Sequence, residues 1–407
     1  MTDPTDKPLN IICLATYFKG ADFLRECKSR GHQVVLITKE KMLGEDWPRD
    51  SLDDLIALPN DADLDLFIHL LSLLGRQTRI DRVIALEEFD VITAAQLREH
   101  FCLPGMPTAI ARLFRDKGAM GAKAKGAGIT VPEFVPMLNY DELRAFMERV
   151  PPPWVVKPRS DVSAIGIRKV NKATEVWQAL DSLDGREPLR ERAAHHLLAQ
   201  FVAGNVFHVD SIVSNGRVIF AGANQYGRPP MDVAHSGGVY ISHMVEHSSA
   251  DEKTLLEMNR KLVKTLGLKH GAAHAEFIKG TADGKFYFLE IAARVGGAYI
   301  AEVLEASSGI NLWREWAKLE LADGTVRRIR PPRKEYAGIV LSLARQEFPD
   351  TSAYDDPEVV YRVKKKHHAG LIVRSPRLER VQELLSDYAT RFATDFGATL
   401  PPLERAE

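Results

Sequence analysis

The sequence GAAHAEFIKGTADGKFYFLEIAARVGG, residues 271–297, contains two apolar runs separated by a turn sequence. The dipeptide Asp283-Gly284 is typical of the turn in a β-hairpin, so we predict two antiparallel strands that meet there. Counting outward from the turn places Glu276 on one strand roughly opposite Glu290 on the other. Two like charges that face each other destabilise a sheet, so the pair indicates a binding function.

A bound divalent cation would relieve this repulsion, because Mg²⁺ takes one or two carboxylates and completes its shell with waters and substrate phosphates. The alternative is an exposed acidic pair at a sheet edge. That alternative suits Glu276 alone better than Glu290, which lies between the apolar sequences FYFL and IAARVGG. His274 lies on the same face of its strand as Glu276. It could therefore contact a substrate, or it could only hydrogen-bond to the metal-ligating side chain.

Arg294 follows Glu290 by four residues and precedes Gly296 and Gly297. A guanidinium group beside two glycines can bind an anion through its planar donors and through backbone N–H groups. A surface salt bridge before a helix is the alternative. Ala292 lies on the face shared by Glu290 and Arg294.

A second group of candidates is cationic. Lys157 comes directly after the apolar sequence WVV and before the turn PRSDVSAIG, residues 158–166. A lysine followed by a loop of small residues is typical of a phosphate site, although the GxxxxGK order of the P-loop is missing. Lys117, on a basic helix predicted over residues 111–128, is a further candidate. The alternative for either lysine is an ordinary solvated side chain.

Two further segments are weaker signals. The chain leaving a strand at Gln200, Phe201 and Val202 offers backbone groups and apolar surface, which suit an adenine ring. Residues 226–250 show little periodicity, so we predict a long loop. Loops of that length are often functional, and this one is a candidate lid with Arg228, His235 and Gly237-Gly238, or an ordinary surface excursion.

The chain of 407 residues has 54 basic and 55 acidic residues. This balance argues against a protein that binds nucleic acid or a membrane surface. The three cysteines of the chain are scattered, which favours neither disulfides nor a zinc site, and a cytoplasmic location is expected.

Strands alternate with helices over residues 9–101, which predicts a parallel sheet covered on both faces. The GxGxxG fingerprint of dinucleotide-binding folds is missing from this region.

Taken in order, four segments resemble the ATP-grasp superfamily of ADP-forming carboxylate–amine ligases: DKGAMGAKAKGAGITVPEF, VVKPRSDVSAIGIRKV, AQFVAGNVFHVDSI and HAEFIKGTADGKFYFLEIAARVGG. The chain is most similar to L-amino-acid ligases and more distantly similar to D-alanine–D-alanine ligase and biotin carboxylase. The resemblance implies a mixed α/β and α+β chain of four parts: a Rossmann-like N-terminal domain (1–105), a small ATP-grasp lobe with a linker helix (106–200), a large lobe with the metal site (201–330) and a C-terminal α+β region (331–407).

The resemblance also implies that ATP lies between the two lobes and that two Mg²⁺ ions, which Mn²⁺ could replace, bind Glu276 and Glu290. The residues implied to bind ATP are Lys117, Lys157, the loop residues Ser160, Ser163 and Gly166, and the adenine contacts Gln200, Phe201 and Val202. Those implied to hold the acyl phosphate and the tetrahedral intermediate are Arg294, Gly296 and Gly297.

Two positions depart from the superfamily pattern. Val206 stands where many members have an acidic ribose ligand, so Asp210 or His208 could take that role. Ala292 stands where an asparagine usually supplies a third metal ligand. We therefore predict that water fills this coordination position or that the second metal is held more weakly than in relatives.

The implied function is an ATP-dependent ligase that joins a small carboxylate, such as an amino acid, to an amine through an acyl phosphate. One alternative is an ATP-binding sensor or scaffold with weakened catalysis, and another is a carboxylase-like enzyme that uses bicarbonate. The expected partners are small molecules, without nucleic acid or membrane, and a homodimer is compatible with the resemblance.

Overall fold

A computed structural model describes residues 7–161, 166–186, 191–231, 233, 238–322 and 329–398. Three β-sheets succeed one another along the chain. Among the helices in these ranges, none combines the length and the apolar composition that a membrane span requires.

The N-terminal sheet is parallel and has the order β3-β2-β1-β4. Its strands are β1 (Asn10–Leu14), β2 (Gln33–Lys39), β3 (Asp54–Leu58) and β4 (Arg82–Ala85). Its helices are Ala21–Ser29, Leu64–Gln77 and Asp90–His100. Alternate residues of β1 enter different cores, because Ile11 packs with the first helix and Ile12 packs with the other two. The predicted parallel sheet with helices on both faces is therefore confirmed, whereas β3 was not predicted.

The basic segment that follows is not one continuous helix. A short helix at Thr108–Ala111 is followed by a separate helix at Lys117–Gly126. The Asp116 side chain accepts hydrogen bonds from the backbone N–H groups of Gly118 and Ala119, so it caps the second helix and sets where it begins. The predicted single helix over 111–128 is wrong for this reason, and Lys117 becomes the first residue of the second helix.

The second sheet is antiparallel and has the order β5-β8-β6-β7. Its strands are β5 (Phe134–Pro136), β6 (Trp154–Pro158), β7 (Arg168–Val170) and β8 (His196–Gln200). Two helices, Tyr140–Arg149 and Ala173–Asp184, share one core with it through Phe146 and Leu180. The predicted arrangement of strand, turn and strand around Lys157 is confirmed.

The third sheet has eight strands in the order β13-β12-β9-β10-β11-β14-β16-β15. Its strands are β9 (Gly204–Ser214), β10 (Arg217–Tyr226), β11 (Tyr240–Met244), β12 (Gly271–Gly280), β13 (Phe286–Ala292), β14 (Tyr336–Leu343), β15 (Val359–Arg362) and β16 (His368–Ser375). The last three strands come from the C-terminal region and extend this sheet, since β14 pairs with β11. The prediction of a loop throughout 226–250 is wrong, because β11 lies within it and pairs on both sides.

Among the described residues, helices accompany the third sheet at Ala250–Leu266, Ile300–Ser308, Leu312–Leu321 and Leu378–Asp395. The first packs Leu262 and Val263 into the core formed with β9 and β12. The helix at 312–321 packs Trp316 against Phe23 of the N-terminal domain, with the two rings 5.1 Å apart. This contact fixes the N-terminal sheet beside the third sheet, so residues of both can face one cleft.

Candidate active site

The register of the β12–β13 hairpin is the predicted one, with Glu276 paired to Glu290. A bulge follows this pair, because Phe277 pairs with Phe288 and leaves Leu289 as an extra residue on β13. As a result, neighbouring residues Leu289 and Glu290 both line the same cavity. The hairpin therefore presents two carboxylates and an apolar side chain to one space.

That cavity has a volume of about 640 Å³ and lies between the second and third sheets. The predicted site residues that line it are Lys117, Lys157, Gln200, Phe201, Val202, His274, Glu276, Glu290, Arg294 and Gly297. Other lining residues come from the N-terminal domain and from β10, among them Lys19 and Tyr226. Residues that are far apart in the sequence thus converge on a cleft large enough for a nucleotide-sized ligand.

The two carboxylates have different surroundings. Glu276 accepts hydrogen bonds at Oε1 from the Tyr226 hydroxyl, at 2.7 Å, and from Nε2 of His274, at 3.4 Å. Burial opposes its ionisation, but the hydrogen bond and charge of His274 lower the pKa of Glu276 overall. Both donors use one oxygen, which leaves Oε2 for a ligand. Glu290 is one-third exposed, and its Oε2 lies 2.7 Å from Nζ of Lys117.

Both predicted lysines lie at the cavity, and among the described residues they differ in their contacts. The Lys117 ammonium also donates to the backbone carbonyl of Asp161, at 2.6 Å, so it joins the β12–β13 hairpin to the start of the predicted phosphate loop. Burial and the nearby charge of Lys117 lower the pKa of Lys157 to about 8, although Glu290 opposes the shift. Within the described residues, Lys157 makes neither a hydrogen bond nor an ion pair, so its ammonium can accept an anionic partner.

A buried polar network lies beside Glu276. Asp210 accepts from Nδ1 of His208, at 2.6 Å, and from Nδ1 of His274, at 2.8 Å. Nε2 of His208 lies 2.8 Å from the Ser242 hydroxyl. Burial opposes the charge of His274, but Asp210 outweighs it and raises the pKa of His274 to about 9. The network therefore holds an imidazolium against Glu276.

Asp210 and His208, the candidate ribose contacts, do not line the cavity, and their role in ribose binding stays a prediction. Both side chains have no exposed surface, and both carboxylate oxygens of Asp210 are occupied by histidine nitrogens. Alternate residues of β9 face the cleft side of the sheet, but only those near the N-terminal end of the strand reach the cavity. The sequence pattern gives the face on which a residue lies and not its distance from the cavity. Val206 does reach it and, together with Ile278, forms part of an apolar wall.

His208, Asp210 and His274 could also be considered as a metal site, since their ligand atoms lie within 4.8 Å of one another. The distances argue otherwise. Tetrahedral zinc with ligands near 2.0–2.1 Å would separate two ligand atoms by about 3.3 Å. The separations of 2.6 and 2.8 Å are those of charge-assisted hydrogen bonds.

Arg294 is held by a residue that the sequence analysis missed. Glu88, just beyond β4, accepts at Oε2 from Nε and Nη2 of Arg294, at 3.0 and 2.7 Å. Its Oε1 contacts Nη1 of Arg115, whose Nη2 donates to the Ser160 carbonyl at 2.7 Å. Burial opposes ionisation of Glu88, but the two arginines lower its pKa to about 2. An acidic pair at the carboxyl end of a parallel strand, Glu87-Glu88, was the available signal.

The two predicted glycines differ in position. A Cβ added to Gly296 would lie 2.6 Å from Oδ1 of Asp210 and 3.1 Å from Nδ1 of His274, so only glycine lets the backbone pack on this network. Gly297 has open space around it and lines the cavity. Ala292 is buried and paired with His274, which leaves its position on the hairpin without a polar side chain.

The predicted phosphate loop is described only at its ends. Asp161 and Ile167 line the cavity, whereas Ser160 is exposed and contributes its carbonyl to Arg115. Gly166 has a φ of 69°, in the region that favours glycine. Ser163 lies outside the described residues, as do His235 and Gly237 of the candidate lid.

The predicted adenine segment connects the second sheet to the third. Gln200 ends β8, and its side-chain oxygen accepts from the Glu133 backbone, at 3.3 Å. The Lys169 ammonium lies 4.0 Å from the centre of the Phe201 ring. Val202 joins Ile278 and Leu289 in a small apolar cluster at the cavity. An apolar wall of this kind suits a flat heterocycle.

Comparisons with known proteins agree with this geometry. Residues 150–302 match a family model described as an ATP-grasp domain. The chain is 22% identical over 262 residues to an L-arginine-specific L-amino acid ligase of Bacillus subtilis, a match that covers 64% of this chain and 62% of that protein. The chain thus matches less than two thirds of the length of this curated relative.

Solved structures show the same fold over nearly the whole chain. The structure of an L-amino acid ligase from Bacillus licheniformis has a TM-score of 0.72 at 18% identity, with 94% of this chain and 97% of that chain covered. A biotin carboxylase from Campylobacter jejuni has a TM-score of 0.70 at 12% identity, with 98% and 93% covered. Residues 150–302 are therefore similar to an ATP-grasp domain, and the whole chain has the fold of these solved structures.

Proposed function

We propose that this protein is an ATP-dependent, ADP-forming ligase that joins a small carboxylate to an amine through an acyl phosphate. One observation carries the proposal: a carboxylate pair, two lysines and an arginine converge on a single cleft. The sequence similarity to an L-amino acid ligase supports an amino acid as the carboxylate. The small-molecule partners follow from the size of the cavity.

The donor set fits Mg²⁺. Glu276 and Glu290 are paired across the hairpin, and hard oxygen ligands of this kind bind Mg²⁺ together with waters and phosphates. Glu276 keeps Oε2 for the ion because its other oxygen accepts from Tyr226 and His274. When bound, up to two such ions would neutralise negative charge on the phosphates of the nucleotide.

The first chemical step is attack of the substrate carboxylate on the γ-phosphoryl group of ATP. Lys157, which has no internal partner among the described residues, would bind phosphate oxygens as a point charge. Lys117 would exchange its contact with Glu290 for the nucleotide. Arg294, presented at the cavity wall beside Gly297, would hold the transferred phosphoryl group.

In the second step the amine attacks the acyl carbon and phosphate leaves. His274 lines the cavity, but its pKa near 9 and its hydrogen bond to Asp210 make it a cation at neutral pH. A protonated imidazole cannot accept the proton of the amine. The geometry of His274 supports the role of a positioning group that orients Glu276. Arg294 and the backbone at Gly297 would stabilise the tetrahedral intermediate.

The decisive assay measures ADP and phosphate release over pairs of amino acids, other small carboxylates and amines. Release that requires both partners, together with a product containing a new C–N bond, is expected. Formation of AMP, or the absence of turnover with every pair, would contradict the proposal.

A bicarbonate-using enzyme is the second candidate, because biotin carboxylase has the same fold over nearly the whole chain. The bicarbonate dependence of ADP formation distinguishes the two candidates. Bicarbonate-dependent ADP formation in the absence of any other carboxylate would favour the second candidate. Lack of stimulation by bicarbonate would leave the amino-acid ligase.

Lys157 supplies a prediction about protons. A lysine with a pKa near 8 is partly deprotonated at pH 8, and a bound phosphate raises its pKa again. Binding of MgATP should therefore take up protons at pH 8 and take up almost none at pH 6.5. Calorimetry in two buffers with different ionisation enthalpies measures the uptake, which should vanish in Lys157→Met and persist in Lys123→Met, an exposed helix residue. Equal uptake at both pH values would contradict the assignment.

Tyr226 supplies a prediction about the metal. Tyr226→Phe removes one of the two donors to Oε1 of Glu276, so the carboxylate is less well oriented. Loss of such a supporting hydrogen bond is expected to weaken Mg²⁺ affinity about 10-fold. The measurement is the free Mg²⁺ concentration for half-maximal ADP formation at saturating ATP. Tyr140→Phe, at an exposed tyrosine, should leave this concentration unchanged.

A further inference from the structure

The guanidinium group of Arg294 has a restricted set of donors left for a ligand. Arginine carries five N–H donors. Three are engaged: Nε and Nη2 donate to Oε2 of Glu88, and Nη1 donates to the Val295 carbonyl at 3.2 Å. One N–H group on Nη1 and one on Nη2 remain, and Arg294 lines the cavity. These two donors are available to an anion in the cavity.

Glu88 is itself fixed. Its second oxygen contacts Nη1 of Arg115, so both oxygens of the carboxylate are in use. The Arg115 guanidinium lies 5.1 Å from the centre of the Phe89 ring and donates to the Ser160 carbonyl. All three charged side chains are largely buried, with exposures of 8–13%. One carboxylate from the N-terminal domain is thus shared by two arginines, one at the phosphate loop and one at the cavity.

We propose that Glu88 is a positioning residue that clamps the Nε–Nη2 edge of Arg294, so that its Nη1–Nη2 edge faces the phosphoryl group in the cleft. The proposal rests on the proposed function and assigns the N-terminal domain a direct part in organising the phosphoryl site. Without Glu88 the Nε–Nη2 edge of the buried guanidinium loses its acceptor, so the group can rotate away from this orientation. Arg115 then acts on Arg294 indirectly, through the second oxygen of Glu88.

The test uses inorganic phosphate as the probe, titrated calorimetrically into the full-length protein loaded with MgADP. Wild-type protein should bind phosphate, and Glu88→Gln should bind it about 10- to 100-fold more weakly, the range for a lost hydrogen bond to a charged group. Glu88→Asp keeps the charge and should recover part of the affinity. Glu26→Gln, in an exposed pair with Arg30 of the same domain, should match the wild type.

A double variant distinguishes a positioning role of Glu88 from a general effect of the substitution on folding. In Arg294→Met protein, whose phosphate affinity is already low, Glu88→Gln should cause no further loss, because its effect passes through Arg294. Additive losses in the double variant would overturn the proposal, as would a wild-type MgADP complex that does not bind phosphate. If no substrate pair yields product, the ligase proposal fails, while the phosphate titration still decides the role of Glu88.

Discussion

Glu290→Gln is expected to reduce ADP formation about 10³-fold, a loss of several kcal/mol of transition-state stabilisation when a metal ligand is removed. The substitution keeps the size of the side chain and removes its charge. Glu290 is one-third exposed and, among the residues that the structure describes, pairs with Lys117, so the protein should remain folded. The measurement is ADP release at saturating substrates, with thermal unfolding of the same preparation as a check.

Glu347→Gln is the matched control, since Glu347 pairs with Lys366 on the surface of the C-terminal region. It should retain wild-type turnover. Wild-type turnover in Glu290→Gln would contradict the metal assignment. If Glu290→Gln lost turnover but preserved the cellular function of the protein, the sensor or scaffold alternative would be correct instead.

Asp210→Asn is expected to destabilise the protein by about 3–5 kcal/mol, the cost of removing one partner of a buried ion pair. Asp210 has no exposed surface and accepts from both His208 and His274, so its loss leaves a buried imidazolium without its counter-charge. Denaturant unfolding measures the effect. Asp251→Asn, which breaks a partly exposed pair with Lys279, should cost no more than about 1 kcal/mol.

The effect should also depend on pH. His274 has a pKa near 9 in the folded protein and an ordinary value of 6.5. Because the folded pKa is the higher one, the stabilisation is fully present below pH 6.5 and is lost as the pH rises through 9. The difference between these two pKa values of His274 corresponds to about 3 kcal/mol of folding stability, at about 1.4 kcal/mol per pKa unit. The destabilisation by Asp210→Asn should therefore shrink between pH 6.5 and 9, and a constant difference would contradict the assignment.

The hairpin shows why part of the site could be predicted. The turn at Asp283-Gly284 and the strand period of two fix which residues face each other, so Glu276 and Glu290 were found by counting. Helices with a strong apolar period, such as Leu64–Gln77 and Ala250–Leu266, were found for the same local reason. Strand β11 was not, since its five residues are held by neighbours on both sides and carry little signal of their own.

Local patterns also failed where depth in the fold matters. Asp210 and Val206 lie on the same face of β9, yet Asp210 is buried under Gly296 and Val206 reaches the cavity. Periodicity assigns a face, but it does not say how far a neighbouring segment covers that face. For this reason the sequence could not show that Asp210 lies away from the cavity.

The sequence by itself determined the parallel N-terminal sheet, the hairpin register and the lysine, glutamate and arginine positions that now line one cleft. These depend on turns, strand periods and charges within short segments. Only the tertiary structure decided that Glu88 pairs with Arg294, which lies 206 residues away. The same holds for the buried contact between Asp210 and His274. Such contacts arise when separate sheets pack together and each buried charge must find a partner. No short segment of the sequence records which partner it finds.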